Sequence, residues 1–237
     1  MGIGMLGVLA LLSQGPECEE RFELRPSTSL LGRDDSFFHD ALREDLVCPG
    51  EGARVFMVTT ASVSDRPETS VFIQPHSPAK ARVTVRRYRE NLSFAMHGWL
   101  DPRAPSKRGW ATEQQQRAAL AAARNVDIFE ADIDTATFEA IARVWSLMID
   151  RARPDPRRPK FIVMAHVSYD FQSGDRFASG TGRAAGGAAE QLIALGSDLI
   201  AYASAPPAKR SPPAQLAAAA AALEARVKGL KACPPTD

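Results

Sequence analysis

Residues 55–86 read VFMVTTASVSDRPETSVFIQPHSPAKARVTVR, and this stretch decides the fold. Val55 to Val63 is rich in β-branched and aromatic residues, Asp65-Arg66-Pro67 is a turn, and Thr69 to Gln74 is a second strand. Pro75 to Pro78 should break that strand, because proline has no N–H to give to a ladder. Val83 and Val85 then alternate with Arg82, Thr84 and Arg86, the period-two pattern of a half-buried strand. The same alternation, Leu92, Phe94 and Met96 against Ser93, Ala95 and His97, predicts a fourth strand. Links this short join antiparallel neighbours, so the segment predicts a meander.

Outward from the meander the period changes to that of helices. Upstream, Glu17 to Pro26 is an irregular polar lead-in. Phe37, Phe38, Ala41, Leu42 and Leu46 then predict a helix over Ser36 to Val47, with Asp34 or Asp35 as N-cap and Pro49-Gly50 as the stop. Downstream, Asp101 to Trp110 is a basic, proline-bearing loop. Thr112 with Gln115 forms a capping box that opens a helix through Ala123. Val126 to Ile133 predicts a strand. Phe138, Ile141, Ala142, Trp145, Met148 and Ile149 make the strongest helical stripe, over residues 135–152, which Arg153 to Pro159 closes.

Phe161 to Val167 is a continuous apolar run that predicts the central strand of a sheet. Ser168 to Gly187 is dense in small breakers and predicts a loop, with a short strand near Arg176 to Ala178. Leu192, Ile193, Leu195, Leu199, Ile200 and Ala203 mark another amphipathic helix. The last helix carries a narrow seam of Leu216, Leu223, Val227 and Leu230, suited to packing on the body. The sum is an α+β fold: one domain whose early antiparallel meander is covered by several helices, mainly C-terminal.

Length and composition fit one such core. The chain has 237 residues, 45% apolar and 24% charged, which is ordinary for a globular domain. Its formal charge of +1 gives no global attraction to nucleic acid or anionic lipid. Arg far outnumbers Lys and Ala is abundant, as in GC-rich bacterial coding sequence.

The first sixteen residues contain no charged side chain and include the apolar run Gly2 to Leu12. That run is too short to cross a bilayer, which needs roughly twenty apolar residues. Residues 1–16 read as the hydrophobic part of a secretory signal peptide, although the usual basic start is absent. The competing reading is a buried N-terminal element of a cytoplasmic protein. Lipidation at Cys18 is rejected, because Glu17 and Gly15 stand where a small and an aliphatic residue are needed. The expected organisation is a signal over 1–16, the α+β domain over 17–205, a proline-rich linker over 206–213 and a packed C-terminal helix over 214–231. Export would allow one disulfide between two of Cys18, Cys48 and Cys233.

The chemistry-bearing motifs are few. Ser179-Gly180-Thr181-Gly182-Arg183-Ala184-Ala185-Gly186-Gly187 resembles a phosphate-cradling loop only superficially, since no strand adjoins it and no Lys-Ser or Lys-Thr follows. His166, Ser168, Asp170 and Gln172 alternate along one strand face, and His166, Ser168 and Asp170 are the candidate catalytic groups. Same-face neighbours stand roughly 7 Å apart, too far for a direct relay, so a polar face running into solvent is the simpler account. His39, His76, His97 and His166 have no metal-ligand spacing, so no metal and no cofactor is expected. Glu130, Asp132 and Asp134 share another strand face, where mutual repulsion would raise at least one pKa; a glycosidase pair or divalent-ion site is conceivable there, but an exposed acidic strand face leading to an N-cap at Asp134 is the favoured reading. Two basic clusters, Lys80 to Arg89 and Arg151 to Lys160, suggest surface pairing or an acidic protein partner rather than nucleic acid.

These readings point to an exported, non-catalytic binding or accessory protein of the bacterial envelope, periplasmic or secreted, with a protein partner and no membrane insertion once the signal is cleaved. Two alternatives stand beside it: a hydrolase working around His166 to Asp175, and a cytoplasmic protein docking a partner through its C-terminal helix.

Overall fold

A computed structural model of the chain describes residues 24–31, 36–50, 52–61, 66–97, 112–152, 167–181 and 187–230. Its strands are β1 (Arg25–Ser27), β2 (Val55–Ala61), β3 (Thr69–Ser77), β4 (Lys80–Tyr88), β5 (Val126–Asp134), β6 (Val167–Ser173) and β7 (Arg176–Thr181). The α-helices are α1 (Phe37–Leu42), α2 (Leu92–His97), α3 (Glu113–Ala123), α4 (Thr135–Asp150), α5 (Ala188–Ser204) and α6 (Pro213–Gly229). The seven strands form one sheet in the order β1-β7-β6-β2-β3-β4-β5, every pairing antiparallel. The α+β architecture expected from the sequence is therefore present.

Period-two alternation divides the strands between two cores. One face carries Val55, Met57, Val71, Ile73, Val83, Val85, Ala131, Ile133, Phe171 and Ala178, packed under α4, α5 and α6. Trp145 of α4 is wholly buried there and donates its indole N–H to the Phe56 carbonyl at 3.3 Å. Leu216, Ala220, Leu223 and Val227 bury the seam of α6, which packs on α4 and α5. The opposite face carries Phe56, Val58, Phe72 and Tyr88 beneath Leu30, Leu31, Ala41, Leu42, Leu46, Leu92, Leu120 and Ala123. Beyond α1, a π-turn at Arg43–Val47 and a 3₁₀ turn at Cys48–Gly50 bring Asp45 over the sheet. Asp45 accepts from the Tyr88 hydroxyl at 2.8 Å and from both Nε and Nη2 of Arg124 at 2.7 Å. Burial and that bond to Asp45 hold the Tyr88 phenol far above its ordinary range.

Several sequence expectations are corrected. Ser36, not Asp34 or Asp35, caps α1, its hydroxyl accepting from His39 N at 3.3 Å; Asp34 and Asp35 lie outside the described residues. β3 runs on through Pro75 to Ser77, because β2 pairs with it only as far as Ile73. Proline there loses no second ladder, and a bulge follows it. Leu92 to His97 is a helix rather than a fourth strand. Ser168 to Ser173, expected in a loop, is most of β6, and Arg176–Thr181 completes a hairpin with it. The apolar run Phe161 to His166 lies outside the described residues, as do Cys18 and Cys233; Cys48 is an exposed free thiol. The 206–213 segment holds a 3₁₀ turn at Pro207–Lys209.

The two edges of the sheet differ. β1 is three residues long and contains Pro26. β5 has nine residues, and side chains occupy its outer carbonyls: Arg210 Nη2 donates to Glu130 O at 2.9 Å and Tyr202 Oη to Asp132 O at 2.8 Å. Among the described residues no helix is long and apolar enough to cross a membrane.

Candidate functional site

The register places one polar row across the middle of the second face: Arg25, Ser179, Asp170, Val58, Ser70, Arg86 and Ile128. The next row holds Ser168 and Thr60 as cross-strand partners, with Glu68 beyond Thr60 on β3's approach. Ser168 and Thr60 are half-exposed, whereas Asp170 retains 9% of its surface and Ser70 and Glu68 none. Exposure along the band thus falls from the half-buried Ser168 and Thr60, through Asp170, to the fully buried Val58 and Ser70.

Asp170 has no hydrogen-bond or ion-pair partner among the described residues, and burial alone pushes its carboxyl up from 3.8 to about 7. Ser70 Oγ is buried with no partner either. Adjacent strands lie roughly 4.8 Å apart, so Asp170 and Ser70, two strands apart, flank Val58 at a Cα separation of roughly 10 Å. Buried polar groups almost always find partners, and one left unmatched costs about 1–3 kcal/mol. Among the described residues the buried side-chain atoms without a partner are Ser70 Oγ and Ser204 Oγ, so on this face Ser70 is the costly group, beside a desolvated Asp170.

Glu68 is buried but matched. Its carboxylate accepts from the backbone N–H of Leu92 at 2.9 Å and of Ser93 at 3.3 Å, capping α2. Burial raises its pKa, and those two backbone hydrogen bonds act in the opposite direction. This long-range cap explains why Leu92–His97 is helical despite its alternating pattern: two orphan donors of its first turn find a carboxylate supplied from the residue just before β3.

The candidates from sequence fall out unevenly. Ser168 and Asp170 do share a face of β6, but no hydrogen bond joins them; His166 lies outside the described residues. Gln172, next on that face, spends its amide on Gly174 O at 2.6 Å, closing the β6–β7 turn. Ser179, Gly180 and Thr181 of the glycine loop are strand residues in β7, so, contrary to the expectation from sequence, a strand does adjoin the loop, and Gly187 caps α5 without a side-chain bond.

The acidic row is paired rather than repulsive. Arg82 lies 3.5 Å from both Glu130 and Asp132, and Lys80 lies 3.7 Å from Asp132. Asp134 caps α4, as the sequence predicts, and its bonds from the Thr137 amide and hydroxyl lower its pKa. The first basic cluster is spent in the same way: Arg86 donates to Asp45 O, Arg87 stacks over Phe129 at 5.1 Å, and Arg89 pairs with Asp127 at 2.9 Å. From the second cluster, Arg151 donates to Val227 O, while Arg153 to Lys160 lie outside the described residues. No cluster of three metal-ligating side chains exists among the described residues. Ser70 and Glu68 went unnoticed in the sequence, although period two through Glu68, Ser70 and Phe72 marks two polar positions on one face of an apolar strand.

No protein-family model, no curated protein and no solved structure matches this chain.

Proposed function

We propose that this chain is a non-catalytic binding protein that takes a small polar ligand on the sheet floor between Asp170 and Ser70. One observation carries the reading: the buried, unpartnered Ser70 Oγ and the desolvated Asp170 carboxyl face the same way across Val58, one residue row from the half-buried Ser168 and Thr60. A ligand supplying a hydrogen bond to each would offset the cost of their burial. Catalysis has less support, because no nucleophile there is hydrogen-bonded to a base. Partner docking through the last helix is disfavoured, since α6 has already buried Leu216, Leu223 and Val227 against α4 and α5.

The test is a thermal-shift screen of the full chain at pH 8 against a panel of small amines, polyols and amino acids. Compounds that stabilise the wild type should lose that effect in Asp170→Asn and in Ser70→Ala. A panel that stabilises all three proteins equally, or none of them, refutes the reading.

The uncharged Met1 to Pro16 segment supports export as part of the same proposal. Mass spectrometry of the protein recovered from its native host should find a mature N-terminus near residue 17; an intact Met1 in the soluble protein refutes export.

A further inference from the structure

On the other side of the sheet from Asp170, we propose a second binding site: the cleft between α5 and the start of α6 takes a short zwitterionic peptide, its terminal ammonium on Asp198 and its terminal carboxylate on Lys209. The cleft has a volume of about 340 Å³, at the small end of the range of ligand sites. One wall is a single stripe of α5, from Asp198 through Ala201 and Tyr202 to the C-cap Ala205. Alanine at 201 and 205 stops at Cβ, where a longer side chain would fill the space. Lys209, Ser211 and Gln215 form the opposite wall, and Leu216 is buried beneath them. The frame is fixed from behind. Tyr202 is 6% exposed and gives its hydroxyl to Asp132 O at 2.8 Å. Arg210 donates to Ala205 O at 3.1 Å and to Glu130 O at 2.9 Å, with its guanidinium 5.9 Å over the Tyr202 ring. The polar groups that remain for a ligand are Asp198, Lys209, Ser211 and Gln215. Among the described residues none of these four side chains makes a hydrogen bond or an ion pair.

Charge and spacing choose the ligand. The cleft offers one acid and one base that do not pair with each other, so a ligand of a single sign leaves one of them unmet. Asp198 precedes Ala205 by a rise of about 10 Å along α5, and Lys209 lines the cleft from beyond Ala205 on a long flexible stem. A free amino acid carries both charges on one carbon and cannot meet the two ends together. Two or three extended residues span about 7–10 Å, which matches the stripe. The Gln215 amide has donors and an acceptor, as a peptide group has, and the Ser211 hydroxyl can serve as either. Tyr202, Leu216 and the two alanines give small apolar side chains a surface to lie on.

The probes are alanine, alanyl-alanine, trialanine, N-acetyl-trialanine (no ammonium) and trialanine amide (no carboxylate). Each is titrated by calorimetry into the full chain at pH 7, up to on the order of 10 mM, which covers millimolar affinities. The di- or tripeptide should bind more tightly than alanine. Either cap should weaken trialanine about five- to tenfold, as expected for one charged hydrogen bond in a half-open cleft. Asp198→Asn should weaken trialanine by a similar factor and leave N-acetyl-trialanine unchanged; Lys209→Gln should do the same with respect to the amide. Ala201→Leu should fill the cleft and abolish binding. Asp198, Ala201 and Lys209 are all exposed, so an unchanged melting temperature shows that each variant is folded. Asp170→Asn should bind trialanine as the wild type does. Absence of binding by both free peptides, capped peptides as tight as trialanine, or undiminished binding in Asp198→Asn and Lys209→Gln overturns the proposal. Peptide binding that is lost in Asp170→Asn but kept in Asp198→Asn belongs to the sheet site, and the cleft proposal falls.

Discussion

Replacing Asp170 by Asn should make the protein more stable at pH 8, although the substitution lies in the heart of the sheet. The carboxyl binds its proton at about 7 in the fold against an ordinary 3.8. Each tenfold change in proton affinity is worth about 1.4 kcal/mol, so the ionised form costs the fold about 4 kcal/mol. For an acid whose native pKa is raised, that stability is fully present below about 3.8 and is lost as pH rises through about 7. Linkage places about 2 kcal/mol of the loss below pH 5 and most of the remainder between pH 5 and 7. Asn has no such titration but leaves an unmatched amide in the same dry place, costing about 1–3 kcal/mol. The net expectation is a variant about 1–3 kcal/mol more stable than wild type at pH 8, the difference shrinking by about 2–3 kcal/mol at pH 5. Urea unfolding of both proteins at the two pH values measures it. Glu68 titrates in both proteins and cancels from the difference. A variant less stable than wild type at pH 8, or a difference that does not move with pH, would mean that Asp170 is ionised and partnered, and the candidate site would lose its foundation.

Three further outcomes test the frame around the site. Tyr88→Phe removes the donor to Asp45 Oδ2 and should cost about 1–2 kcal/mol in chemical denaturation without changing the fold. Gly50→Ala sets a methyl 2.5 Å from the Phe56 ring and 2.8 Å from the Phe72 ring, so about 1–3 kcal/mol of overpacking should appear as a lowered melting temperature. Leu223→Ala in α6 should lose about 2–4 kcal/mol while gel filtration shows the same oligomeric state; a changed oligomer with unchanged stability would instead return the last helix to a role in partner docking.

Wherever local pattern and tertiary setting agreed, the fold was legible. The strands at Val55 and Val83, the capping box at Thr112 and the stripe of α4 all announced themselves through spacing alone. Misreadings arose where a distant partner decided the matter. Leu92–His97 carries a strand's alternation, but two carboxylate oxygens from Glu68, 24 and 25 residues upstream, satisfy its first amides and hold a helix. Polar Ser168–Ser173 looked like loop because its strand is imposed by β2, which reaches it across more than a hundred residues. The site was half visible for the same reason. Ser168 and Asp170 stood out as alternating polar groups, but only the β2–β6 and β2–β3 registers set Ser70 across Val58 from Asp170. Burial, which gives Asp170 its unusual proton affinity, is a property of the assembled layers and leaves no mark on its own segment.

The plugged edge of β5 has a consequence during synthesis. Its Asp132 and Glu130 carbonyls are covered by Tyr202 and Arg210, 70 and 80 residues later in the chain. A ribosome adding roughly 5–20 residues per second leaves that edge open for on the order of ten seconds after the strand emerges. The sheet-forming half of the nascent chain is thus sticky before the C-terminal helices arrive, and any chaperone demand falls within that interval. A chain stalled or cleaved between Asp134 and Tyr202 keeps a nine-residue template for strand addition whose Glu130 and Asp132 carbonyls the finished protein has capped.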